Sequence, residues 1–157
     1  MQLTRAADYA VRVMIHLAGQ PLGTVVRLRT LANAVTVPES FLAKVLQTLT
    51  RSGMMVSRRG PDGGFELVPS SMQATMLDVI SAIDGPVQLN ACLGEQGCCE
   101  RKEWCPAHSV WSEAQIAMLN VLNRETIGEL ALRTTRQKEL AVVTNDAKQP
   151  VAGESWN

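Results

Sequence analysis

Apolar residues recur at three- and four-residue intervals through the N-terminal third of the chain and then change rhythm. In LTRAADYAVRVMIHLAG, Leu3, Ala6, Ala7, Ala10, Val11, Met14, Leu17 and Ala18 share a helical face, with Thr4 as a start signal and Gly19 as a stop. After a turn containing Pro21 and Gly23, VRLRTLANAV places Leu28, Leu31 and Ala32 together on a short second helix. In VPESFLAKVLQTLTRSG, Phe41, Leu42, Val45, Leu46 and Leu49 repeat at helical spacing while Glu39, Ser40, Lys44, Gln47 and Arg51 face elsewhere; Pro38 opens this helix and Gly53 ends it. The pair predicts a helix-turn-helix.

The rhythm then changes, because MMVSRRGPDGGFELV reads as a strand, a turn rich in Gly, Pro and Asp, and a second strand. A hairpin directly after a recognition helix predicts a winged helix over residues 1–70. A connecting helix follows in 71–90, where TMLDVISAIDGP carries Met76, Leu77, Val79, Ile80 and Ile83 and stops at Gly85 and Pro86. Beyond residue 108, HSVWSEAQIAMLNVLNRETIGELAL repeats Val110, Trp111, Ala114, Ile116, Ala117, Leu119, Val121 and Leu122 with no Gly or Pro before Gly128. This predicts one long helix over 109–135. Its broad apolar face exceeds what the rest of the chain can cover, so a second copy is the expected cover and the protein is expected to be a homodimer. The polar, aperiodic end of the 136–157 segment is expected to be a disordered tail. The fold class is mainly α with a small β-hairpin wing and a long C-terminal dimerisation helix.

Length and charge refine this picture. The 157 residues suffice for one compact domain with an appended helix. No apolar run approaches the roughly 18 residues of a membrane span, and Arg5, Asp8, Arg12 and His16 exclude an N-terminal signal peptide, so a cytoplasmic protein without membrane contact is expected. Net charge is zero, but residues 1–70 hold eight Lys/Arg against four Asp/Glu, while 71–157 hold seven against eleven. A basic front half is what a polyanion partner needs. Arg58 and Arg59 beside Gly60, Gly63 and Gly64 would let the wing tip approach a phosphate ridge or a narrow minor groove, although a solvated turn with incidental charges is the plainer reading of the hairpin alone.

All four cysteines, Cys92, Cys98, Cys99 and Cys105, lie in ACLGEQGCCERKEWCPAH, residues 91–108, with His108 three positions after the last. Disulfides are discounted, since a cytosolic compartment keeps thiols reduced. Structural zinc draws ligands in pairs two to four residues apart; Cys92-x5-Cys98 and Cys99-x5-Cys105 lack that knuckle, although Cys105-x2-His108 could supply half of one. An iron–sulfur cluster, whose irons spread over a few ångströms, suits thiolates at wide and even spacing, and Arg101 and Lys102 could offset its charge. Cluster, zinc and inert thiols all stay open at this point, in that order. A dithiol enzyme using Cys98 and Cys99 is disfavoured by the lack of Cys-x-x-Cys, of a catalytic constellation and of a cofactor loop.

The chain resembles the IscR and NsrR family of winged-helix transcription regulators from Met1 to about Leu132. The resemblance is carried by MQLTRAADYAVR, VPESFLAKVLQTLTRSG, RRGPDGGF, LDVISAIDGP and the exit CPAHSVW. It implies a dimeric DNA-binding protein, not an enzyme, with an iron–sulfur cluster ligated by Cys92, Cys105 and one of Cys99 or Cys98, Cys99 being preferred. For the fourth ligand it implies either Asp8 on the first helix, reached from the other subunit, with a 4Fe-4S cluster, or His108 with a 2Fe-2S cluster; the reading taken is Asp8. Asp8 also stands four residues before Arg12, the spacing of an ordinary helix ion pair.

The function expected is that of a homodimeric repressor binding double-stranded promoter DNA, controlled by a cluster responsive to nitric oxide, redox or iron status. Glu39, Ser40, Lys44 and Gln47 would meet the major groove, and Arg58, Arg59 and Gly60 the flanking minor groove. The alternative is the same fold acting as a zinc or thiol switch.

Overall fold

The computed structural model of the chain describes residues 3–94 and 99–146, the side chains of 142–146 excepted. Its α-helices are α1 (Arg5–Ala18), α2 (Leu28–Val35), α3 (Glu39–Arg51), α4 (Met76–Asp84), α5 (Pro106–Leu122) and α6 (Ile127–Asp146), with strands β1 (Met55–Arg58) and β2 (Gly64–Leu67) between α3 and α4. Short 3-10 turns occupy Pro69–Gln73 and Ala91–Leu93.

Helix α1 is the centre of the fold. The Thr4 hydroxyl accepts from the Ala7 amide and starts the helix, and burial then extends round it, from Ala7, Ala10 and Met14 on the apolar stripe to Val13. Helices α2, α3, α4 and α6 and strand β2 all pack against it. Met14, Leu31, Leu42, Leu46, Leu49, Met55 and Ile80 are fully buried where these elements meet, each side chain contributing about 1.5–3 kcal/mol of apolar transfer. Thr36, in the left-handed region at φ 57°, makes the turn between α2 and α3, and Val37 beyond it returns to the core, its amide donating to the Ala32 carbonyl.

The wing is antiparallel, with Met55 opposite Leu67 and Arg58 opposite Gly64. It is pinned to the segment before α2 by reciprocal backbone bonds of 2.9 Å between Val26 and Phe65. Gly64 lies against Val26 so closely that a Cβ would enter the Val26 carbonyl. A residue with any side chain would push the wing off its base.

The C-terminal region departs from the sequence expectation in two ways. The single helix expected over 109–135 is two helices, broken at 123–126. Tertiary pairing makes the break: Thr75 bridges Thr126, its hydroxyl donates to Asn123 Oδ1 at 3.1 Å, and the amide of fully buried Ile127 donates to the Ala74 carbonyl at 2.7 Å. A capping box restarts the chain, with the Thr126 hydroxyl accepting from the Glu129 amide and the Glu129 carboxylate accepting from the Thr126 amide. Those bonds to Thr126 hold the Glu129 carboxyl below its ordinary pKa. Secondly, α6 continues to Asp146, well into the segment expected to be a tail; residues 147–157 lie outside the described residues.

Helix α5 buries no residue. Met118, Leu119 and Leu122 touch the core from one side, while Val110, Trp111, Ile116 and Val121 are exposed, Val110 at 64%. The expected unpaired apolar face is therefore present. Among the described residues no helix is long and apolar enough to cross a membrane.

Candidate DNA-binding face and cysteine cavity

The recognition residues expected on α3 are all exposed: Glu39, Ser40, Lys44 and Gln47 lie away from the buried Leu42, Val45, Leu46 and Leu49. Phe41, expected among the apolar set, is 41% exposed and meets Tyr9 of α1 edge-on at 5.5 Å between ring centroids.

The two wing arginines are not equivalent. Both Nε and Nη2 of Arg58 reach Glu66 Oε2 at 2.9 Å, and the Glu66 side chain is only 15% exposed. Arg59 is exposed and has no ion pair among the described residues. At the tip, Gly60 has φ +110°, a conformation open to glycine, and a Cβ on Gly63 would come within 2.5 Å of the Arg58 carbonyl. Arg27 ties the tip to the start of α2 through the Pro61 carbonyl at 3.1 Å and Asp62 at 2.9 Å. Sequence reasoning missed Arg27 and Glu66; cross-strand pairing of Glu66 beside Arg58 was the available signal.

The second site is a cavity of about 340 Å³ where the turn Ala91–Leu93 meets the start of α5. Cys92, Cys99, Cys105 and His108 line it together, with Lys102 and Trp111. Cys92 and Cys105 are half-buried, Cys99 is exposed, and all three are free thiols. Local structure explains the convergence. Pro106 starts α5 with Cys105 at its N-cap, which puts His108 in the first turn and Trp111 one turn further on. The Lys102 amide donates to the Cys99 carbonyl at 3.0 Å, folding that half of the loop back.

His108 Nε2 is buried and has no hydrogen-bond partner among the described residues. Leaving such a nitrogen unpaired costs about 1–3 kcal/mol, so it is a donor atom waiting for an acceptor or an acceptor waiting for a cation. Among the described residues no three His, Cys, Asp or Glu side chains close on one point as the ligands of a single ion would. Cys98, the alternative ligand, lies outside the described residues.

Asp8 is not in this cavity. It is exposed on α1 and bound to Arg12, with Nη2 to Oδ2 at 2.7 Å. Of the two basic residues expected to offset charge, only Lys102 lines the cavity; Arg101 stands over the Trp104 ring at 5.7 Å. The loop is anchored by residues the sequence did not single out. The Leu89 amide donates to Gln115 Oε1 of α5 at 3.0 Å, and Gln88 packs so closely on Gly94 that a Cβ there would meet its Oε1 at 2.5 Å.

These elements make a winged helix-turn-helix, with the polar face of α3 exposed and, at the wing tip, an Arg59 that has no ion pair among the described residues. The chain belongs to the Rrf2 family, whose model, described as an iron-dependent transcriptional regulator, matches residues 3–133. It is 32% identical over 130 residues to the HTH-type transcriptional regulator IscR of Cronobacter sakazakii, covering 83% of this chain and 80% of that one. The fold is shared with CymR, the global cysteine regulator of B. subtilis, at a TM-score of 0.70 and 23% identity over 85% of this chain and 98% of that one. It is also shared with T. potens IscR, at a TM-score of 0.65 and 19% identity over 96% and 93%.

Proposed function

We propose that the protein is a homodimeric repressor whose hold on promoter DNA is set by an iron–sulfur cluster bound in the cysteine cavity. The observation that carries this reading is the gathering of Cys92, Cys99, Cys105 and His108, whose Nε2 has no partner among the described residues, around one cavity. Three soft thiols and an imidazole are a ligand set suited to iron–sulfur chemistry, and Lys102 at the rim offsets the thiolate charge. When bound, such a cluster supplies iron that reacts with nitric oxide or oxidants and is lost when iron is scarce.

Two residues compete for the fourth position. His108 already stands in the cavity and favours a 2Fe-2S cluster. Asp8 would have to come from the partner subunit and leave Arg12, and since an exposed helix pair of this kind is worth only about 0.3–0.5 kcal/mol, that exchange costs little. The geometry of the single chain supports His108; Asp8 with a 4Fe-4S cluster stands as the alternative.

The chain supplies a bonded route from this cavity to the reading head. Leu89 and Gln115 join the loop to α5, and α4 begins at Thr75, which holds Asn123 and Thr126 at the end of α5. At the other end of α4, Asp84 accepts from both the Thr4 hydroxyl, at 2.6 Å, and the Thr4 amide, at 3.2 Å, at the start of α1. A shift of the loop therefore reaches α1 and the α3 packed on it through rigid elements. Half-sites about 34–36 Å apart turn a small rotation of the two heads into the loss of several contacts together.

Anaerobically purified protein should absorb visible light, contain iron and sulfide, and change its promoter affinity on treatment with nitric oxide. His108→Ala should alter the spectrum where Asp8→Ala does not. A colourless protein with stoichiometric zinc would defeat the proposal and favour the second reading, a thiol or zinc switch, which the exposed and free Cys99 supports.

A further inference from the structure

A cleft of about 390 Å³ that the DNA-binding and cluster sites leave unused lies between the C-terminal half of α1, the end of α2 and the outer part of α6. Its charged lining is entirely basic. Arg12 and His16 enter from α1 and Lys138 from α6, and among the described residues no acidic side chain lines it. Arg12 is already engaged by Asp8 and lies over the Tyr9 ring, but Lys138 has no ion pair among the described residues. Ile15, Val35 and Ala131 add apolar surface to the same lining.

The remaining polar groups narrow the choice of ligand. The Thr134 and Thr135 hydroxyls donate to the Leu130 and Ala131 carbonyls, so they offer lone pairs and no proton to an incoming group. An anion must be met by Lys138 and His16, with the Gln20 amide as a neutral donor nearby. A volume of this size suits a small molecule and is too small for a macromolecular segment.

We infer that this cleft binds a small organic monoanion, a short-chain carboxylate whose head group lies between His16 and Lys138 and whose hydrocarbon body rests on Ile15, Val35 and Ala131. Such a ligand would fasten α6 to α1, because its head group is shared between the two helices.

The same arrangement sets a proton linkage. Burial, and then the nearby Lys138 charge, hold His16 below the ordinary value of 6.5. The charged groups facing it in the cleft are Arg12 from its own helix and Lys138 from α6; the lining from α2 (Ala34, Val35) and from Thr36 beyond it is uncharged. A carboxylate beside the ring offsets the Lys138 charge and stabilises the imidazolium against its burial, drawing a proton onto His16, so binding takes up protons and strengthens as pH falls through the histidine range.

The test is calorimetric titration of the full-length protein with 3-methylbutanoate and hexanoate, with inorganic phosphate as the charge-only probe, alongside the NMR shift of the His16 ring. The carboxylates should bind with proton uptake, more tightly at about pH 6 than at about pH 8. Lys138→Gln should weaken them by about tenfold or more, the usual effect of removing a charge-assisted hydrogen bond. His16→Asn should abolish the proton uptake while leaving residual affinity. Phosphate binding as tightly as the carboxylates would overturn the apolar half of the site, and no heat with an unmoved His16 resonance at millimolar carboxylate would overturn the whole. Because the Lys138 and His16 variants leave every cysteine in place, an unchanged cluster spectrum in them separates failure of this site from failure of the cluster.

Discussion

At the scale of single residues, the wing separates two arginines that look alike in sequence. Arg58 gives Nε and Nη2 to Glu66, whereas Arg59 is exposed and has no ion pair among the described residues, which makes it the better candidate for a phosphate contact. Arg59→Ala should lower promoter affinity by about 1 kcal/mol, roughly fivefold, and flatten the dependence of log affinity on log salt by about one unit. Arg58→Ala should act mainly on the hairpin, and equal losses for the two variants in a salt-dependent binding assay would refute the distinction. His16 makes a second residue-scale prediction. Its folded-state pKa lies below the unfolded value, so above about pH 6.5 both states are neutral and it contributes no pH dependence. As pH falls below that point the unfolded chain takes up the proton first and stability drops, until the folded pKa is passed. Urea titrations at successive pH values should show this acid-side loss in the wild type and its removal in His16→Asn.

At the scale of elements, the periodic segments were legible and the places where tertiary contacts overrule periodicity were not. Helices α1, α3 and α4 run between start and stop residues visible in the sequence, Thr4 and Gly19 for the first, Thr75 and Gly85 for the third. The α5–α6 break was hidden because Asn, Arg and Glu in NRETIGEL carry no strong breaking signal, and the buried Ile127 looks like one more apolar repeat. The capping box at Thr126 and Glu129 was the trace available. Replacing Thr126 by Ala should cost about 1 kcal/mol by removing the hydroxyl cap, measured by chemical denaturation. An unchanged midpoint would mean that the Thr75 bridge and the buried Ile127 hold the corner unaided. The turn between α2 and α3 carries a strain of its own, since Thr36 is β-branched and left-handed at φ 57°. Thr36→Asn, a residue that tolerates this conformation, should raise stability by up to about 1 kcal/mol without changing DNA affinity. The cysteine cavity was half legible: Cys92, Cys99, Cys105 and His108 stood out in the sequence, but Trp111 as a lining residue and Gln88 and Gln115 as anchors of the loop did not, because what places them is the early start of α5 at Pro106 and the return of the loop onto it.

At the scale of the whole molecule, the exposed face of α5 is where the proposed dimer and the proposed ligand set can be tested together. Val110, Ile116 and Val121 are exposed on a helix with no fully buried residue, an arrangement expected where a second copy supplies the other half of a core. Ile116 is 58% exposed and lies outside the cysteine cavity, so a charge there should leave the fold of one chain intact. Ile116→Asp should therefore sediment as a monomer with unchanged helical circular dichroism. Its promoter affinity should fall by about 10²–10⁴-fold, because two linked heads bind a palindromic site with the advantage of effective concentration and single heads do not. The same variant discriminates between the ligand sets. Cys92, Cys99, Cys105 and His108 belong to one chain and survive dissociation, so a monomer that keeps its visible spectrum has His108 as the fourth ligand. An Asp8 reached from the partner is lost with the partner, and the spectrum must change with it. A dimer that persists in Ile116→Asp would move the interface off α5 altogether.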